Sequence, residues 1–248
     1  MMIDKYNFQH NIVLTIIMLI LVVLFTRLSI WQFSRAEEKQ GLKETIEYRN
    51  TLPPLTIDKL MEFDPSLRFR KVIVRGNYEE ERHIFLDGKK HQNQIGYHIM
   101  TPLTIAGTNN IQVLVNRGWI KMNKNGNTLP AISTPKGLVE VKGTIGIPRK
   151  PPFISFPPVE ADRSWGVRWP FPDTDYFAAQ YNVRVQPFYI LQDPDDQHGF
   201  IREWPVFNAK HNMHIGYAIQ WFAFAVITVA IYLCLSITRR ENQAGKNL

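Results

Sequence analysis

The sequence predicts an α+β membrane protein in which two transmembrane helices flank a mainly antiparallel β barrel or sandwich-like extramembrane domain. Three observations carry this. A long apolar run lies near each end of the 248 residues, short alternating segments fill the middle, and the lone cysteine, Cys234, lies inside the second apolar run. Summed hydropathy is slightly negative, which excludes a transporter built mostly of lipid-facing helix. The middle, about 170 residues, is long enough to bury a core without disulfides.

The first apolar segment runs from Asn11 to Phe33. A cleaved signal would be followed by a small-x-small site, but bulky Leu28, Ile30, Trp31 and Phe33 continue the pattern. The segment therefore reads as an anchor. At about 1.5 Å per residue it spans the roughly 30 Å hydrocarbon layer. Arg27 then snorkels to an interface and Trp31 joins the aromatic belt. The second segment, His214 to Ile237, holds no formal charge and ends at Arg239-Arg240. Two spans place both termini on one side. Arg239, Arg240 and Lys246 assign that side to the cytoplasm, against an opposing vote from Arg35, Lys39 and Lys43. The expected organisation is a cytoplasmic tail at 1–10, a span at 11–33, a periplasmic β-rich domain at 34–213, a span at 214–237 and a cytoplasmic tail at 238–248. The corresponding location is a bacterial inner membrane.

Within the middle domain, Arg35 to Asn50 is rich in Glu, Lys and Gln and continues the first span as helix until Pro53-Pro54 breaks it. Lys71 to Tyr78 alternates, with Val72, Val74 and Tyr78 on one face. His83 to Leu86 is a short strand before the turn signal Asp87-Gly88. Tyr97 to Leu103, Ile111 to Ile120, Val139 to Ile147 and Val183 to Gln192 complete the strands. A Pro-rich stretch with Trp165 and Trp169 reads as an ordered loop. Asp173 to Gln180 reads as a short helix with an aspartate cap.

The formal charge of +7 is scattered rather than gathered into a stripe, which suits anionic lipid head groups and argues against nucleic acid as a partner. One cysteine excludes an intrachain disulfide and a multi-thiolate metal site. No P-loop, GxGxxG, HExxH or GxSxG is present, so no enzyme is predicted. His83, His91 and His98 match no metal spacing, and Asp193-Pro194-Asp195-Asp196 reads as a solvated turn. The constellation with the most chemical potential is at the outer end of the second span. There His214, Ala218, Trp221 and Ala225 share a helical stripe and Tyr217 lies beside it. An interfacial imidazole can ligate haem iron, with alanines leaving room for the macrocycle and Trp221 packing on it. The same pattern equally describes small residues that let two membrane helices pack closely.

Three strings carry a resemblance. They are Leu28-Ser29-Ile30-Trp31-Gln32-Phe33-Ser34-Arg35; Gly96-Tyr97-His98 with Val113-Leu114-Val115-Asn116-Arg117-Gly118-Trp119-Ile120; and the run from His214 to Ala225. Together, in order and with both spans, they resemble the surfeit locus protein one family, which assists assembly of haem–copper cytochrome c oxidase. The resemblance implies a non-enzymatic assembly factor that receives or transiently holds haem a for insertion into subunit I. It maps the proposed haem ligand onto His214, with Tyr217 and Trp221 beside it. Trp31, Gln32 and Arg35 become a facing wall, and Asn116, Arg117, Gly118 and Trp119 a further functional or structural string. Expected partners are subunit I, haem a synthase and membrane lipid. The alternative is a scaffold that binds oxidase subunits or haem synthase without binding haem.

Overall fold

A computed structural model describes residues 6–8, 11–123, 128–148, 166–196, 198–204 and 211–239. The chain divides into two compact units, Met1–Thr45 with Val206–Leu248, and Ile46–Pro205. Trp165 lies outside the described residues, as do Arg240 and Lys246 of the C-terminal basic group.

The first unit is built on α3 (His211–Ser236) and on α1 (Ile12–Thr51) as far as Thr45. α1 starts where Asn11 caps it, its Oδ1 accepting the Val13 and Leu14 amides at 3.0 and 3.3 Å. It runs about 60 Å at 1.5 Å per residue, twice what a bilayer core requires, and ends before Pro53 as expected. Both helices are long and apolar enough to cross a membrane. They run antiparallel: Thr15 meets Tyr232, Phe25 meets Trp221, Ser29 meets Ala218 and Gln32 meets His214. The less exposed residues of α3 include His214, Ala218, Trp221, Ala225, Thr228, Tyr232 and Ser236, with Ile215 and Ala223 flanking that stripe. From His214 to Tyr232 the steps of the stripe alternate between four and three, the spacing of a knobs-into-holes seam. Ile16, Ile20, Val23, Ile30, Ile219, Phe222, Val226 and Ile231 lie outside the seam and are exposed. Two short strands, β1 (Tyr6–Phe8) and β10 (Ile237–Arg239), pair antiparallel.

The second unit holds β2 (Leu55–Ile57), β3 (Lys71–Tyr78), β4 (Ile84–His91), β5 (Gln94–Ile105), β6 (Ile111–Lys121), β7 (Val139–Gly146), β8 (Arg168–Trp169), α2 (Thr174–Tyr181) and β9 (Arg184–Gln192). The circuit β3–β7–β9–β6–β5 closes because Gly76–Tyr78 of β3 pairs back onto Leu103–Ile105 of β5. Inside lie Val72, Val74, Leu103, Val113, Val115, Val141, Ile145, Phe188 and Ile190. Closure removes the exposed edges an open sheet would present. A second cluster places Trp169 and Phe177 of α2 against Ile84, Leu86, Met100 and Leu114. Asp173 caps α2 as read from sequence, accepting the Tyr176 amide at 2.9 Å.

The barrel is mainly antiparallel, as expected, and among the described residues it also contains parallel pairings, of β6 with β9, β2 with β3 and β4 with β8. Parallel neighbours need a crossover connection, and the chain between β6 and β9 supplies one through β7 and α2. Asp87-Gly88 does not turn the chain. It forms a bulge within β4, with Gly88 at φ +67°, and the strand continues to His91. The reversal falls at Gln92 and Asn93, whose φ values of +45° and +63° suit a tight hairpin.

Candidate functional site

Gln32 and His214 stand opposite each other on the seam of α1 and α3, 182 positions apart in sequence. The His214 Nδ1 lies 2.8 Å from the Gln32 Oε1. One turn away the Ser29 hydroxyl donates to the Ala218 carbonyl at 2.8 Å. Next along the ladder the Trp221 indole stacks on Phe25, ring centres 5.8 Å apart and planes 21° from parallel. The Thr15 and Tyr232 hydroxyls meet at 2.8 Å further on. Polar contacts are thus spaced along an apolar interface, where each fixes register because an unpaired group would be costly. Ser29, Thr15 and Tyr232 were not singled out from sequence. A hydroxyl inside an apolar run was their only signal.

The structure separates the residues expected around His214. Ala218 and Ala225 are buried, and Trp221 is turned against Phe25. The room the alanines were expected to leave for a macrocycle is taken up by helix packing. The edge that remains open carries Tyr217, 47% exposed, and on α1 Trp31, 52% exposed. Arg35 forms an exposed ion pair with Glu38 at 2.7 Å, a contact worth little by itself. The side chain of His211 lies outside the described residues.

The Asn116–Trp119 string is in the barrel unit and has a different character. Asn116 pairs with Met100 and Trp119 with His98, so Arg117 and Gly118 together oppose Ile99 in a bulge of β6. Gly118 has φ +116°, and a Cβ there would lie 2.7 Å from the Ile201 carbonyl oxygen. That closeness exists because the segment after β9 docks on the bulge. Phe200 N donates to Arg117 O at 2.8 Å, Trp119 N to Ile201 O at 2.7 Å, and Ile201 N to Trp119 O at 3.1 Å.

Arg117 is 1% exposed. Its guanidinium donates to Thr134 Oγ1 and to the Ser133 and His198 carbonyls at 2.9–3.1 Å, and lies between the Tyr78 and Phe200 rings. Burial lowers its pKa and the charge of Arg202 adds to that, while Tyr78 opposes both. The Trp119 indole donates to Lys89 O at 3.0 Å. It crosses Gly96, where a Cβ would lie 2.5 Å from the indole, so the two resembling strings of this unit are complementary halves of one packing arrangement.

The histidines are drawn into separate local networks. His83 meets Thr101 and Thr134 at 3.0 and 3.2 Å, and burial foremost lowers its pKa, with Arg117 adding to the effect. His91 approaches Glu203 at 3.6 Å. His98 receives the Asn116 amide at 3.3 Å and abuts Trp204 edge-on. Asp193 pairs with Lys71 at 2.8 Å, and Asp196 accepts the Lys142 amide at 3.1 Å.

Comparison with known proteins follows the same lines. Residues 19–226 match the family model described as the SURF1 family. The chain is 28% identical over 219 residues to a SURF1-like protein of Rickettsia prowazekii, covering 85% of this chain and 84% of that one. It is 30% identical over 122 residues to the cytochrome oxidase assembly protein SHY1 of Saccharomyces cerevisiae, covering 48% of this chain and 30% of that one. Surfeit locus protein 1 of Arabidopsis thaliana is 32% identical over 101 residues, covering 36% and 28%.

Proposed function

The chain belongs to the SURF1 family, and from that premise we propose that it is a membrane-anchored assembly factor for haem–copper cytochrome c oxidase, holding haem a at His214 before its placement in subunit I. The yeast relative is named for oxidase assembly, and this supports the broad role. The observation that carries the finer reading is the His214 imidazole. Gln32 engages one ring nitrogen, and the other has no partner among the described residues. A neutral imidazole with one free nitrogen is a competent axial ligand for haem iron.

The haem is cargo, and its iron supplies the coordination bond. The chain supplies the ligand, with Tyr217 and Trp31 as exposed aromatic surface on the two helices. Burial of Ala218 and Ala225 means that a flat group bound here lies outside the seam rather than along it. The exposed apolar side chains of α1 and α3 suit lipid, and the related bacterial proteins suit a bacterial membrane. The basic residues beside the second span support both termini in the cytoplasm and the barrel in the periplasm. The role is non-enzymatic, with subunit I and haem a synthase as the partners it requires.

Protein purified from cells that make haem a is expected to carry a haem absorbance band. His214→Ala is expected to lose that band and to lower oxidase maturation. Full occupancy and full maturation in that variant would refute the ligand assignment. A colourless wild type that still co-purifies with subunit I would identify a scaffold instead.

A further inference from the structure

We propose that Gln32 is the positioning residue of His214: its carboxamide oxygen fixes the imidazole tautomer and so determines which ring nitrogen is offered to a ligand. This rests on the reading of His214 as a haem ligand, and it names the residue that makes the ligand competent.

A carboxamide oxygen only accepts hydrogen bonds. The Gln32 Oε1 lies 2.8 Å from His214 Nδ1, so Nδ1 carries the proton. A neutral imidazole has one ring proton, and the lone pair therefore resides on Nε2. Without an acceptor at Nδ1 the ring is free to place its proton on Nε2, where it blocks coordination. The surroundings keep the pair in register. Ser29, three residues before Gln32, ties α1 to the Ala218 carbonyl at 2.8 Å, four residues after His214. Phe25 and Trp221 stack beyond them. Neither helix can slide by a residue without breaking this ladder. The arrangement is that of ligating histidines whose second nitrogen is held by an outer partner, built here with an uncharged amide between two helices.

The test uses the full chain in detergent, labelled with ¹⁵N-histidine. Long-range proton–nitrogen correlations report the His214 tautomer, the signals being assigned by difference against His214→Ala. The wild type is expected to show the Nδ1–H form, and Gln32→Leu a shift toward Nε2–H. An Nε2–H form in the wild type, or an unchanged tautomer in Gln32→Leu, would overturn the proposal. Titration with ferric haem b provides the second readout. Gln32→Leu is expected to bind about 10- to 100-fold more weakly, while Gln32→Glu, which keeps an acceptor at the same place, binds like the wild type. If the wild type binds no haem yet its tautomer follows Gln32, the haem-holding reading fails and the assignment of Gln32 stands.

Discussion

Among the described residues two imidazole–carboxamide pairs occur, and they are wired in opposite senses. In the barrel unit the Asn116 amide nitrogen faces His98 Nδ1 at 3.3 Å, so the amide donates and the ring accepts. The Asn116 oxygen receives the Gly118 amide at 3.2 Å, which ties the pair to the β6 bulge. In the helix unit the Gln32 oxygen faces His214 Nδ1 at 2.8 Å, so the ring donates. The first pair serves the packing of a strand and the segment docked on it. The second leaves a ring nitrogen with a lone pair beside exposed aromatic side chains. The same two functional groups thus meet in both regions, and the direction of the hydrogen bond distinguishes the pair that serves packing from the pair proposed to serve a ligand.

The largest effect is expected at Arg117, in the string that ties the barrel pair to its bulge. Arg117→Ala removes a guanidinium held between two rings and strands the Ser133 and His198 carbonyls. A loss of about 3 kcal/mol or more is expected in denaturant unfolding of the full chain followed by tryptophan fluorescence. A loss below about 0.5 kcal/mol would contradict a structural role for this string. Gly118→Ala is expected to cost about 1–3 kcal/mol in the same measurement, since a Cβ at φ +116° runs into the Ile201 carbonyl.

His98 sharpens the comparison through pH. Burial, with a smaller contribution from the Lys89 charge, lowers its pKa from 6.5 to about 4. Between those values the unfolded chain binds a proton that the folded chain refuses. The stabilising contribution is therefore complete above the unfolded pKa and declines as pH falls toward the folded one. The expected slope is on the order of 1 kcal/mol per pH unit, and His98→Gln should flatten it in thermal unfolding across that window. The smallest effect is expected at the helix pair. His214→Ala should cost about 1 kcal/mol in unfolding, the value of one hydrogen bond.

Much of this architecture was readable in advance. The apolar runs became α1 and α3, the alternation at Lys71–Tyr78 became β3 with the expected residues inside, and Asp173 became a helix cap. What escaped depends on contacts distant in sequence. Residues that alternate with period two look alike in parallel and antiparallel strands, so the β6–β9 pairing was hidden. A buried arginine reads as a surface residue until the carbonyls around it are known, which hid the clamp formed by Arg117. Gln32 and His214 were both singled out, yet nothing in one sequence specifies that they touch. Their meeting follows from the antiparallel seam, which also buries Ala218 and turns Trp221 against Phe25.

His98 serves the fold, and His214 is the residue proposed to hold the ligand. The most direct measurement is the haem absorbance band of purified His214→Ala beside that of His98→Ala, from cells making haem a. The account predicts that the band disappears from the first and persists in the second wherever that variant remains folded. A band retained in His214→Ala, or lost from folded His98→Ala, would contradict it.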